Sequence, residues 1–314
     1  MEKIKKTACI LFMILFLISP AYGEMLNSTQ EAADTAVAYA AAGEETWAYG
    51  PYYYQSHSYY YIQYLTNGTL TGVLLLDGEN GEIIKETETV EKISYTIWYL
   101  NNVTPEVIPA YNITVDTYQK TVPALNEMAR KLEQEARQMS GEDKTKTNDA
   151  AAAYKEMAVL IEEYADTLSN TIPTMEAVAS GNRSYENAIK LTEEYGEVEK
   201  VLIEMGQSYD NVIENVNAYC DILIENSSKY GLNKTLMQDY KTVFNTNMEQ
   251  EKALFVTANL DAFEEDRLTV KEHQEEDTRL AEERIQITEI PGFGMLLSIC
   301  AVLLVCCLIS RKKK

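Results

Sequence analysis

Cysteine is nearly absent from the body of this 314-residue chain. Four of its five cysteines, Cys9, Cys300, Cys306 and Cys307, sit in apolar terminal segments. Only Cys220 lies between them, so no internal disulfide can form there and packing has to hold the fold. Cys220 is read as a small buried side chain, the alternative being a pairing with another chain. Histidine is as scarce, with only His57 and His273. Any Ser-His-Asp or Cys-His arrangement would have to use one of them. His57 lies in a Tyr-rich stretch with no nucleophile motif. His273 and Asp277 are four apart and can face one metal ion, but two ligands make a poor site. The run Lys271 to Asp277 reads instead as a solvent-facing helix. No Gly-rich phosphate loop, Cys-x-x-Cys or His-Glu-x-x-His occurs. Asp77 to Glu82 is acidic, but its second glycine comes one place early for a calcium loop. Paired carboxylates are too many for one pair to stand out as acid and base. No catalytic, cofactor or metal residue is assigned, and no enzyme is expected.

Positive charge is also lacking. The chain has 27 basic and 49 acidic residues; without its two ends, 24–290 keeps 20 and 48, a net of −28. Such a surface repels nucleic acid and anionic lipid, so no nucleic-acid partner is expected. It suits cations, a salty medium or a crowded envelope.

The apolar runs lie at the ends. Lys3, Lys5 and Lys6 precede Ile10 to Ile18, all apolar, and then Ala21-Tyr22-Gly23. This is the pattern of an export signal over 1–23, cleaved after Gly23, with Ala21 and Gly23 as the small residues that a signal peptidase reads. The run is too short to span a bilayer, which takes about 20 residues. At the other end Phe293 to Ser310 carries no charge, and Arg311-Lys312-Lys313-Lys314 follows. A helix of that length spans about 27 Å, close to the ~30 Å hydrocarbon core. The basic end marks the cytoplasmic side, so the bulk of the chain is expected outside, on the outer face of the cell membrane.

Pro291-Gly292-Phe293, an apolar helix and a basic cluster together resemble the PGF-CTERM sorting signal of archaeal surface proteins. The resemblance covers about the last two dozen residues, 291–314. It implies processing by an archaeosortase and a lipid-anchored mature protein. The alternative is a plain single-pass anchor. Either way the outer domain is tethered to the membrane.

Asn-x-Ser/Thr sequons stand at Asn27, Asn67, Asn102, Asn112, Asn182, Asn226 and Asn233. In an exported chain these are N-glycosylation acceptors. Asn67, Asn182, Asn226 and Asn233 fall in predicted turns.

The outer domain divides in pattern. Residues 24–100 read as a small α+β domain. Ser28 or Thr29 caps a helix that runs to about Ala42, with Gly43 as its stop. Residues 44–57 read as irregular and aromatic. Strands follow at Ser58 to Leu65, Leu70 to Asp77 and Glu82 to Thr87, joined at Asn67-Gly68 and Asn80-Gly81. A helix followed by a meander is similar to PepSY-like domains, as is Leu76-Asp77-Gly78-Glu79-Asn80-Gly81-Glu82-Ile83 at the second strand's end. That likeness implies a non-catalytic interaction or inhibitory module.

Residues 101–263 read as a helical bundle. From Ala188 to Leu223 apolar or small residues recur in alternating steps of three and four, and similar stripes run from Tyr111, from Tyr154 and from Asn233 onward. Each stripe makes one narrow apolar face. The expected class is mainly α: an elongated antiparallel bundle of about four long helices, punctuated at Gly141, Gly181 and Gly231. Pro109, Pro123 and Pro173 are expected to kink or interrupt it. Residues 264–290 are almost wholly polar and read as a solvated stalk or spacer before the membrane helix.

Eight tyrosines fall between Tyr49 and Tyr64. Tyr52, Tyr53, Tyr54, Tyr59, Tyr60 and Tyr61 form a candidate binding surface, since Tyr offers an apolar face with a polar tip. The alternative is that they pack the sheet on its helix. The expected function is that of a non-enzymatic, glycosylated, anchored protein of an archaeal envelope, an interaction or structural module with a surface-layer or membrane protein as partner. The alternative is a sensory or solute-binding ectodomain acting with a separate membrane protein.

Overall fold

The computed structural model describes residues 25–288. The signal segment with Ala21 and Gly23, the Pro291-Gly292-Phe293 motif and the apolar segment after it lie outside those residues. Among the described residues no helix is long and apolar enough to cross a membrane. They form a mainly helical protein with one three-stranded antiparallel sheet on its N-terminal side. The chain divides into two compact units. Among the described residues the first holds 25–98, 183–185 and 272–288; the second holds Tyr99–Asn182 and Glu186–Lys271.

In the first unit, α1 (Thr29–Ala36) starts where Ser28 Oγ accepts from the Glu31 N–H. Glu31 in turn accepts from the Asn27 N–H at 2.7 Å, so orphan amides at this helix start are met by side chains. One 3-10 turn, Val37–Tyr39, follows, and the helix is shorter than expected. The sheet is β1 (Glu45–Tyr54), β2 (His57–Thr66) and β3 (Thr69–Asp77), in that order. Asn67-Gly68 is the tight turn the sequence predicts, with φ of 51° and 79°.

Two expectations fail here. Glu82 to Thr87 is not a strand: only Ile83 bridges to Leu76, and α2 (Thr87–Leu100) begins at once. The missing strand is β1, read as irregular. Its turn to β2 is Gln55-Ser56, two non-glycine residues at positive φ, and it contains Pro51 beside a register shift. Both features hide a hairpin, because glycine or asparagine normally supplies such a turn and proline argues against a strand. The residues of α2 are largely β-branched or aromatic, which masks the helical spacing of Val90, Ile93 and Ile97.

The sheet is covered on both faces. Tyr60, Ile62, Tyr64, Leu74 and Leu76 pack with Ala32 and Ala36 of α1. Tyr59, Tyr61, Val73 and Leu75 pack with Val90, Ile93 and Ile97 of α2. Period-two alternation sends neighbours to opposite faces, so a sheet buried twice reads as a continuous apolar run.

The second unit is bundle-like. It comprises α3 (Ile108–Ala136), α4 (Gly141–Ala179), α5 (Tyr185–Glu225, from Glu186), α6 (Lys234–Lys252), a π-helical turn (Ala253–Thr257) and the start of α7 (Ala258–Thr288). Met157, Ile161, Val198, Leu202, Met205, Val212 and Val256 belong to its shared core. Lys155 pairs with Glu133, and Thr174 Oγ1 donates to Glu194 at 3.0 Å, so α4 runs opposite to α3 and α5. Lys241 to Asp221 and Lys252 to Asp210 set α6 antiparallel to α5. Pro109 lies in the first turn of α3, while α3 and α4 continue through Pro123 and Pro173. Proline interrupts neither helix. Cys220 is fully buried in this core.

The stalk reading also needs correction. From Glu272 onward α7 belongs to the first unit, and Asp277, Leu280, Ala281 and Arg284 are buried there. Two of these four are charged, so an apolar stripe could not reveal them.

Candidate functional site

The buried face of α7 places two charged groups inside the first unit. Asp277 is 1 % exposed. Its carboxylate accepts from Ser94 Oγ at 2.7 Å and Trp98 Nε1 at 2.8 Å, both on α2, and from the Tyr61 hydroxyl. Burial pushes Asp277 above the ordinary carboxylate range, against the pull of these donors and of His273. Burial likewise pushes Tyr61 well up, with the Asp277 charge adding to it. The His273 ring stacks on Trp98, 3.6 Å between centroids and 9° between planes. Ser94, Tyr61 and Asp277 are all buried, so this cluster is a closed polar joint between α2, α7 and the sheet.

Arg284, two helical turns further along the same face, forms the second joint. Nη1 donates to Glu44 at 2.9 Å and to the Tyr39 carbonyl at 3.2 Å; Nη2 donates to Glu44 at 2.6 Å. The guanidinium also lies over the Tyr64 ring, 4.3 Å from its centroid. Both side chains are almost fully buried, 7 % and 6 % exposed. Burial raises the Glu44 carboxyl, but the hydrogen bonds from Arg284, the Ala41 N–H and Thr71 outweigh it and hold it at about 2. Gly72 makes room: a Cβ there would lie 2.3 Å from Arg284 Nη2.

The tyrosine cluster is mostly internal. Tyr52, Tyr59, Tyr60 and Tyr61 are buried, so they pack the sheet and form no open surface. Tyr53 and Tyr54 are half-buried. Tyr53 N donates to the Arg183 carbonyl at 3.0 Å, and the Tyr54 ring meets Tyr185 edge-on at 5.4 Å.

The open aromatic surface lies elsewhere. Trp47 and Tyr49 are 53 % and 41 % exposed on one face of β1, with Glu45 beside them. They stand opposite Gln63 and Tyr61 of β2. Over Glu45 to Tyr49 the outer edge of β1 pairs with no strand among the described residues. An unpaired edge flanked by Trp and Tyr can accept an extended segment or an aromatic-binding partner. The sequence reading passed over Trp47, because the only signal was its two-residue spacing from Tyr49 in a stretch read as loop.

A shallow groove on the same unit is lined by Glu91, Gln274, Glu275, Thr278, Arg279 and Glu282. Gln274 is held by the Glu91 carbonyl, and Arg279 is paired with Glu276 and Glu283. Those contacts occupy Gln274 and the guanidinium of Arg279. Among the described residues no three His, Cys, Asp or Glu side chains gather to hold a metal ion. Six of the seven sequon asparagines are exposed, and Asn226 is half-buried. Asn67, Asn182, Asn226 and Asn233 sit in turns or at helix ends, as expected. Comparison with known protein families, with curated proteins and with solved structures finds no match.

Proposed function

We propose that this chain is an exported, N-glycosylated, non-enzymatic protein of an archaeal cell surface, tethered through its C-terminus, whose first unit is an interaction module. Signal peptidase acts after Gly23 and an archaeosortase acts at Pro291-Gly292-Phe293, leaving a lipid anchor. The observation that carries this reading is the course of α7. It stays helical to Thr288, three residues before Pro291, and Arg284 is locked to Glu44 just before that end. A tether at 291 therefore pulls on the first unit itself, and force passes into a buried ion pair and not into a loose spacer.

Trp47, Tyr49 and the open edge of β1 are the contact surface for a surface-layer or membrane protein. The order of α1 and then the antiparallel β1–β2–β3 supports the PepSY-like likeness, and with it a non-catalytic role. The second unit, an elongated antiparallel bundle of about four long helices, acts as the structural body. The helix directions and the shared core support that reading.

Mass spectrometry of the mature protein from its native membrane tests the tether. The expected result is a chain that starts at Glu24 and ends near Pro291 with a lipid attached. A peptide covering Met295 to Lys314 on every molecule would remove the sorting reading.

A further inference from the structure

Helix α6 is poorly covered for its length: of its 19 residues only Met248 is buried. Leu236, Tyr240 and Val243 are 64 %, 51 % and 57 % exposed. They continue in steps of four and three through Asn247 and Gln250 to Leu254, and no charged residue stands on that line. A neutral strip of this kind is unusual on a chain whose outer part carries −28.

The line begins at a sequon. Asn233-Lys234-Thr235 opens the helix, and Asn233 stands three residues before Leu236, on the same face. Asn233 is exposed and is the helix N-cap: its Oδ1 accepts from the Leu236 N–H at 3.2 Å. The oxygen is thereby fixed towards the helix, and among the described residues Nδ2 has no hydrogen-bond partner. Three of the other six sequons differ. Asn112 lies inside α3 with Nδ2 donating to the Ile108 carbonyl at 3.2 Å, and Asn27 Nδ2 donates to the Met25 carbonyl at 3.0 Å. Asn226 is half-buried.

We propose that Asn233 carries an N-linked oligosaccharide that lies back along Leu236, Tyr240 and Val243, so that the chain's own glycan covers this face of α6. The proposal rests on the reading of the chain as exported and N-glycosylated. In the transfer, Asn233 Nδ2 bonds to the anomeric carbon of a lipid-phosphate-linked oligosaccharide. The bond from that carbon to the phosphate oxygen breaks, the lipid phosphate leaves with the electron pair, and the one proton lost by the amide passes to water. Nothing is oxidised or reduced. Oδ1 keeps its bond to Leu236, so the cap survives. Leu236, Tyr240 and Val243 lie about 4, 10 and 15 Å along the helix from Asn233, within reach of a short oligosaccharide. Tyr240, stacked with Phe244 at 6.4 Å between centroids, supplies a broad ring for the C–H face of a sugar. The neutrality of the strip also fits, since a sugar needs hydroxyl and apolar partners and no counter-charge.

The test uses the full chain produced in a host that N-glycosylates, with variants Thr235→Ala and Thr235→Ser. Both leave the Asn233 cap in place, and only the first destroys the sequon. Glycopeptide mass and binding of an anilinonaphthalene dye are measured. Wild type and T235S should carry sugar at Asn233; T235A should lack it and bind several-fold more dye, a gain that Tyr240→Ser removes. An unmodified Asn233 beside other occupied sequons would overturn the proposal while leaving glycosylation standing. Equal dye binding by wild type and T235A would overturn the covering role. So would a glycosylated dimer that Leu236→Glu splits, which would give the strip to a second copy. Sugar on no sequon would defeat the glycosylation reading itself, and this proposal with it.

Discussion

Arg284 and Glu44 show how much a single buried pair decides. Replacing Arg284 with Met strands the Glu44 carboxylate in the interior, and loss of one partner of such a pair costs about 3–5 kcal/mol. Replacing both with apolar residues should restore much of that, and urea melts of the three proteins would show it. The pair also sets an acid limit. Glu44 lies at about 2 against an ordinary 4.5, so its contribution is complete above pH 4.5 and is lost as pH falls towards 2. The stability gap between wild type and Glu44→Gln should close over that window. Asp277 works in the opposite sense. Its carboxyl is raised, so the stability linked to its neutral form is present in acid and lost as pH rises through its folded value. Asp277→Asn should therefore gain on wild type with rising pH in the same melts. Gly72→Ala forces the guanidinium to move, since the new Cβ would meet it at 2.3 Å, and should cost about 1–3 kcal/mol by overpacking.

Elements show a second level of constraint. Helix α5 approaches the π-helical turn at Gly206, where an added Cβ would lie 3.3 Å from Val256 Cγ1. Alanine favours a helix by about 1 kcal/mol over glycine, and the tight contact opposes that gain. Gly206→Ala should therefore leave the melting temperature nearly unchanged, whereas Gly206→Leu should lower stability by about 1–3 kcal/mol. Leu202→Ala, one turn away and fully buried, should cost about 2–5 kcal/mol through the cavity it leaves. On the sheet, β1 is a strand despite Pro51, because proline at an edge breaks no ladder bond that the fold needs. Trp47→Ala with Tyr49→Ala should spare stability and abolish partner binding in a pull-down from native membranes. Retained binding would move the contact surface away from β1.

At the scale of the whole molecule, charge dominates. Residues 24–290, at −28, repel one another, and salt screens that repulsion within about 10 Å at 0.1 M. The melting temperature should rise when sodium chloride is added from low salt, more than it does for a variant with ten surface carboxylates made neutral. The first unit gathers its residues from three separate stretches of sequence, ending with the part of α7 next to the tail. Truncation at Lys271 should accordingly unfold the first unit, because it removes Asp277, Leu280 and Arg284 together; loss of the near-ultraviolet signal of Trp98 would report it.

The apolar stripes of α3, α4 and α5 were legible along the chain, as were the left-handed glycines 141, 181 and 231, the Asn67-Gly68 turn and the Ser28 cap. Each is a local matter: a period of three and four, or a backbone angle that few residues accept. Three things depended on tertiary structure. The strand β1 formed because β2 offered it a partner. The tyrosines went inside because helices cover both faces of the sheet, and no one-dimensional pattern says how many faces will be covered. The polar end of α7 was drawn into the first unit because Ser94, Trp98, Tyr61 and Glu44, far away in sequence, supply the partners that Asp277 and Arg284 need. A charged residue reads as exposed until its partner is known, and only the folded chain brings the two together.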